Sequence, residues 1–173
     1  MEPIHVPWTD VGNAPRLLLR SWQQHRTSRA PLASLVLQTV WKPGPAAQDG
    51  GPFLISLTQF TPRWITDMLT IWRTADELGD QLRQIGGAVG VMTYVQPGRR
   101  RLGSMSVWAD EEGLAQFMAL PDHVETMHRY RSRGLPLRSA KWWSEDFQIG
   151  SALTEGLRLL ERHQERRVIV ATS

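Results

Sequence analysis

The chain of 173 residues contains no cysteine. That excludes disulfides, zinc–thiolate and iron–sulfur sites, and any cysteine nucleophile. Lysine is almost missing: Lys42 and Lys141 are the only two, so nearly all the positive charge is arginine. Tyrosine and phenylalanine are scarce too, at two and four. No apolar run approaches the roughly 20 residues that cross a bilayer, and the longest, LASLVLQTVW, is about half of that. The opening MEPIHVPWTDVG has no basic segment followed by an apolar one. No signal peptide or membrane span is therefore expected, and a cytoplasmic protein is. A phosphate-cradling glycine loop and a workable Ser–His–Asp order are also lacking. GGAVG has neither the strand before it nor the helix after it that a dinucleotide site needs, so it reads as a helix stop.

What is present is tryptophan: eight indoles, enough both for a core and for the wall of a pocket holding a flat apolar ligand. The net charge of +3 is modest, and the basic runs Arg99–Arg101 and Arg162–Arg167 carry no interleaved aromatics. Nucleic acid is not an expected partner. Length and composition suit one globular domain with extensions.

Residues 1–50 read as an N-terminal extension. In it RLLLRSWQQH suits a short helix, ASLVLQTVW a strand or second helix, and KPGPAAQDGGP a Pro/Gly linker. Residues 51–148 read as the domain proper, and 149–173 as a C-terminal helix and short strand. FLISLTQF (53–60) predicts a strand. Thr61 then fits an N-cap with Pro62 at the first helical position. Ile65, Met68, Leu69, Trp72, Leu78, Leu82 and Ile85 follow at helical spacing up to Gly86-Gly87. AVGVMTYV (88–95) and RLGSMSVW (101–108) predict a hairpin turned by QPGRR. Asp110 is placed to cap a helix carrying Leu114, Phe117 and Met118, with Glu111 and Glu112 at its positive end. Pro121 breaks that helix and opens another, from Asp122 to about Arg131. PLRSAKWWSEDF supplies a fourth strand, on which Trp142 and Trp143 must point to opposite faces. A helix from about Gly150 to His163 and a strand at Val168–Ala171 close the chain.

Strand, helix, strand, strand, helix, strand is the order of a ferredoxin-like α+β fold, an antiparallel sheet with both helices on one face. Its other face cannot stay bare in water, so two sheets packed face to face in a homodimer are expected.

SVWADEEGLAQFMALPDHVETM, with KWW on the next strand, resembles the dimeric α+β barrel proteins related to antibiotic-biosynthesis monooxygenases. Within them it looks closest to the branch that includes spheroidene-monooxygenase-like proteins. The resemblance covers about Phe53–Phe147. It implies a hydrophobic pocket in each subunit between sheet and helices, and several chemistries: cofactor-free oxygenases, haem-dependent enzymes and polyketide cyclases. Fold alone does not choose among them.

Among the residues, His123 is the acid/base candidate, since an imidazole in an apolar cleft can move a proton of a phenol or a 1,3-dicarbonyl. Substrate-binding candidates are Trp72, Tyr94, Trp108, Met127, Arg138 and Trp142, with Tyr94 and Arg138 suited to a phenolate or enolate oxygen. His128 lies five residues from His123, so the two do not share a helix face and no metal site is expected from them. In haem-degrading relatives the axial histidine aligns near Met127 or His128, which makes His128 the haem ligand should one bind. The expected function is a monooxygenase-like enzyme acting, without a cofactor, on a hydrophobic aromatic, polyketide or isoprenoid metabolite. The alternatives are a haem-dependent enzyme, and a polyketide cyclase or non-catalytic ligand-binding dimer.

Overall fold

The computed structural model describes residues 35–171, with side chains to residue 162. The helix expected at Arg16–His25 lies outside the described residues. The sheet holds β1 (Leu37–Gln38), β2 (Lys42–Pro43), β3 (Phe53–Phe60), β4 (Ala88–Gln96), β5 (Arg101–Trp108) and β6 (Arg138–Ser144). Its order is β1–β4–β5–β3–β6, with β2 also on β4, and every pairing is antiparallel. The helices are α1 (Asp67–Asp80), α2 (Glu111–Ala119), α3 (Pro121–Tyr130) and α4 (Ile149–Ala171). The run β3–α1–β4–β5–α2–α3–β6 is ferredoxin-like, as expected.

Strict alternation sorts the sheet into two faces. Leu54, Phe60, Val91, Leu102 and Trp108 look toward α1, α2 and α3. Ile55, Leu57, Met92, Met105 and Val107 look the other way. Asp110 caps α2 by accepting from the Gly113 N–H at 2.7 Å, and Pro121 opens α3.

Four expectations need correction. The second sheet face is covered within the chain: α4 lays Ala152, Leu153 and Leu160 on it, and Trp41 and Ala46 pack alongside. Burying Leu153 and Leu160 contributes about 1.5–3 kcal/mol each. Gly156 lets α4 come close, because a Cβ there would sit 2.8 Å from both Leu57 and Trp142. A face-to-face pairing of two sheets is thus not what shields this surface.

The start of the first helix also differs. α1 begins at Asp67, after Thr66, not at Pro62. Pro62 instead bridges Gly134, and the Thr61 carbonyl accepts the Leu135 N–H at 2.9 Å. A pairing distant in sequence has taken the groups that a local cap would have used.

The terminal strand expected at Val168–Ala171 is helix. No glycine or proline interrupts residues 157–171, and extending an existing helix costs less than starting a new element.

Lastly, the Pro/Gly stretch is anchored. Lys42 Nζ donates to Asp76 Oδ2 and Asp80 Oδ1, both at 2.9 Å, and to the Asp76 carbonyl at 2.8 Å, tying β2 to α1.

Candidate functional site

Between the two apolar clusters on the α1–α3 face runs a band of hydroxyls. Thr58 pairs Ser104 and Ser56 pairs Ser106 across β3 and β5, while Thr93 pairs Ser104 from β4. The Thr58 and Ser104 hydroxyls are 2.9 Å apart. Trp72 reaches down from α1 so that its Nε1–H donates to Thr93 Oγ1 at 2.9 Å. Ser56, Thr58 and Ser104 stay partly exposed although helices lie over this face. Their neighbours Ile55, Leu57, Gln59, Gly103 and Met105 on the opposite face are all buried. The helices therefore leave this band of hydroxyls partly open on the β6 side of the sheet. On its β6 side stand Lys141, opposite Ser56, and Trp143, opposite Leu54 and half exposed. Lys141 also reaches Glu111 at the start of α2, 3.1 Å away.

His123 stands at the α2–α3 junction. It is half-buried, its ring edge-on to Phe117 with centroids 5.0 Å apart, and Phe117 lies 5.6 Å from Trp108. Trp108 is fully buried and donates its Nε1–H to Ser106 Oγ at 2.9 Å, which joins the aromatic stack to the hydroxyl floor. Burial holds the His123 imidazole below its ordinary pKa near 6.5; the Met118 backbone acts more weakly in the other sense. A neutral imidazole against an aromatic wall can accept a proton.

The remaining polar candidates lie on the other face. Gln38, Tyr94, Gly103, Gln59 and Arg138 form one register row across β1, β4, β5, β3 and β6. Tyr94 is fully buried and its hydroxyl donates to the Thr58 carbonyl at 2.9 Å. Burial raises its pKa far above the usual phenol value, so it stays protonated. Gly103 makes room for it, since a Cβ there would lie 2.9 Å from the phenol oxygen and 1.9 Å from the Thr58 carbonyl oxygen. Arg138 Nη1 donates to Gln59 Oε1 at 3.1 Å, and Gln59 Nε2 to Gln96 Oε1 at 3.2 Å. The Gln38 amide is buried with no hydrogen-bond partner among the described residues. Trp142 packs against Gly156 of α4.

The structure thus divides the predicted set. His123, Trp72 and Trp108 share the helix side of the sheet, while Tyr94, Arg138 and Trp142 share the side under α4. Met127 and His128 are exposed on α3. Among the described residues no group of three His, Asp or Glu could hold a metal ion, and no helix is long and apolar enough to cross a membrane. The hydroxyl floor was missed from sequence, although Ser56, Thr58, Ser104 and Ser106 stand at alternate positions in two predicted strands.

No family model matches the chain, and no curated protein matches it. Solved structures do match in shape. The chain is similar in fold to antibiotic-biosynthesis-monooxygenase-like proteins. A candidate monooxygenase from Lactobacillus acidophilus matches 52% of this chain and 43% of its own, with 12% identity and a TM-score of 0.46. An antibiotic biosynthesis monooxygenase matches over 55% and 99%, with 12% identity and a TM-score of 0.45. A variant of SnoaB, a cofactor-independent oxygenase from Streptomyces nogalater, matches over 57% and 99%, with 13% identity and a TM-score of 0.45. This chain spans less than half the length of the Lactobacillus protein. No residue role passes from these proteins to this chain.

Proposed function

We propose that this protein is a small monooxygenase-like oxidoreductase that acts on a hydrophobic aromatic, polyketide or isoprenoid metabolite bound in a cleft floored by those hydroxyls. One observation carries the reading: a half-buried, neutral imidazole at His123 closes an aromatic stack whose other end is hydrogen-bonded to the floor of that cleft. His123 takes the proton from an acidic methylene of the substrate. The carbanion left behind is the electron-rich species that reacts with dioxygen. A methylene between two activating groups becomes a carbonyl and the second oxygen atom leaves as water, so the reaction R2CH2 + O2 → R2CO + H2O balances without a further reductant. In this reading the partly exposed hydroxyls of Ser56, Thr58 and Ser104 donate to a carbonyl or enolate oxygen. Trp72 and Phe117 position the ring and keep water away, with the buried Trp108 backing Phe117.

No cofactor is part of this proposal, and no step is routed through His128. A cytoplasmic homodimer belongs to the proposal too, but α4 would have to leave the second sheet face before two sheets could meet there. The test is oxygen uptake by the purified protein with a panel of phenols, 1,3-dicarbonyls and aromatic ketones with an activated methylene. Uptake with one class, slowed at least about a hundredfold in His123→Ala, is expected. Full rate in that variant would remove His123 from the chemistry, and no uptake with any class would sink the oxygenase reading.

A further inference from the structure

Half of the ten large hydrophobic side chains that the described residues expose gather at one end of the molecule: Trp64, Ile65, Leu69, Leu135 and Leu137. Two turns bring them together. Pro62 bridges Gly134, the Arg63 N–H donates to the Arg133 carbonyl at 2.8 Å, and the Leu135 N–H to the Thr61 carbonyl at 2.9 Å. Gly134 permits that approach, since a Cβ there would meet the Thr61 carbonyl oxygen at 2.3 Å and the Phe60 ring at 2.5 Å. Leu69 lies in the first turn of α1, four residues beyond Ile65. Trp64, Ile65 and Leu135 are 65%, 63% and 62% exposed, so they stand out from the surface and do not line a groove.

The rim of this patch is cationic. Arg63, Arg100, Arg131 and Arg133 are exposed and enter no ion pair among the described residues. The Arg100 guanidinium reaches the Arg63 carbonyl at 3.4 Å, which sets the β4–β5 turn beside the patch. No acidic residue occurs between Glu125 and Glu145, nor between Phe53 and Thr66.

We propose that these paired turns dock on an anionic lipid surface. The indole of Trp64 suits the headgroup level, Ile65, Leu69 and Leu135 enter the acyl boundary, and the arginines extend their heads to the lipid phosphates. A second copy of this chain fits poorly, because a two-fold contact through the patch would bring arginine against arginine. The inference stands whichever reaction the cleft performs, though a membrane would be a reservoir for an apolar substrate.

The experiment is co-sedimentation of the full chain with vesicles of phosphatidylcholine alone, or of phosphatidylcholine mixed with phosphatidylglycerol. Binding to the mixed vesicles only, weakening as salt rises, is expected. The double variant Trp64→Ser/Leu135→Ser should weaken it on the order of tenfold. Arg63→Gln/Arg133→Gln should weaken it by about fivefold per charge, the factor equivalent to roughly 1 kcal/mol per cation at the surface. Both pairs are exposed, and circular dichroism checks that the fold is kept. Equal sedimentation with both vesicle types, or none, overturns the proposal. So does unchanged binding in both double variants, which would assign it to Arg16, Arg20, Arg26 and Arg29 of the N-terminal segment. A dimer in sedimentation equilibrium that Leu135→Ser breaks would give the patch to a second copy and overturn it as well.

Discussion

His123 meets Phe117 edge to ring, with centroids 5.0 Å apart and the planes inclined at 60°. Because burial is what lowers the His123 pKa, its protonation is coupled to folding. The unfolded histidine takes a proton near pH 6.5 and the folded one only at lower pH, so between those values the unfolded state binds more protons. The stability that His123 contributes is full above about pH 6.5 and is lost as the pH falls from there through the lower folded pKa. Thermal melts from pH 7.5 to 5.5 should therefore show wild type losing Tm faster than His123→Phe, and parallel losses would refute the coupling. The acid limb of the oxidation rate should fall below 6.5 for the same reason.

Trp108 is the hub between stack and floor. Trp108→Phe keeps most of the packing but leaves the buried Ser106 hydroxyl without its donor, at a cost of about 1–3 kcal/mol. Trp108→Ala empties a fully buried site and should cost about 3–5 kcal/mol. Urea unfolding measures both, and equal midpoints for the two variants would show that packing at Trp108 contributes little.

Ser104 tests the cleft without disturbing the core. Ser104→Val suits a strand, so stability should change by less than about 1 kcal/mol. The variant removes the hydroxyl facing Thr58 and fills space above the floor. With an active substrate, KM should rise about fivefold or more while Tm holds. An unchanged KM would place the substrate elsewhere.

How much of this was readable beforehand varies along the chain. β4 and β5 were legible nearly to the residue, because apolar, β-branched runs between strong turn residues leave few alternatives. Asp110 and Pro121 were legible because a cap and a helix-opening proline act within one turn. Pro62 was misread for the opposite reason: its partner, Gly134, is remote in sequence. The face under α4 was misassigned because composition shows that an apolar face needs cover, not what covers it. The site was half legible. His123 and Trp108 do share a side, whereas Tyr94, Arg138 and Trp142 could be placed across the sheet only once the registers were known.

Gly156 tests that cover. Gly156→Val drives a branched side chain into Leu57 and Trp142, with the first new carbon 2.8 Å from each. It should destabilise the protein by about 1–3 kcal/mol and loosen α4 from the sheet. Increased binding of a dye that senses apolar surface, with His123-dependent activity retained, is the expected pair of results. Wild-type stability would mean that α4 is held mainly through its other contacts.

That helix also sets an order of events during synthesis. β3, β4, β5 and β6 all leave the ribosome before Leu153 and Leu160 do, so Leu57, Met92 and Met105 are paired into strands while one side of them is still wet. The nascent chain then carries an exposed apolar sheet until α4 arrives. Chaperone demand should accordingly fall once α4 has emerged.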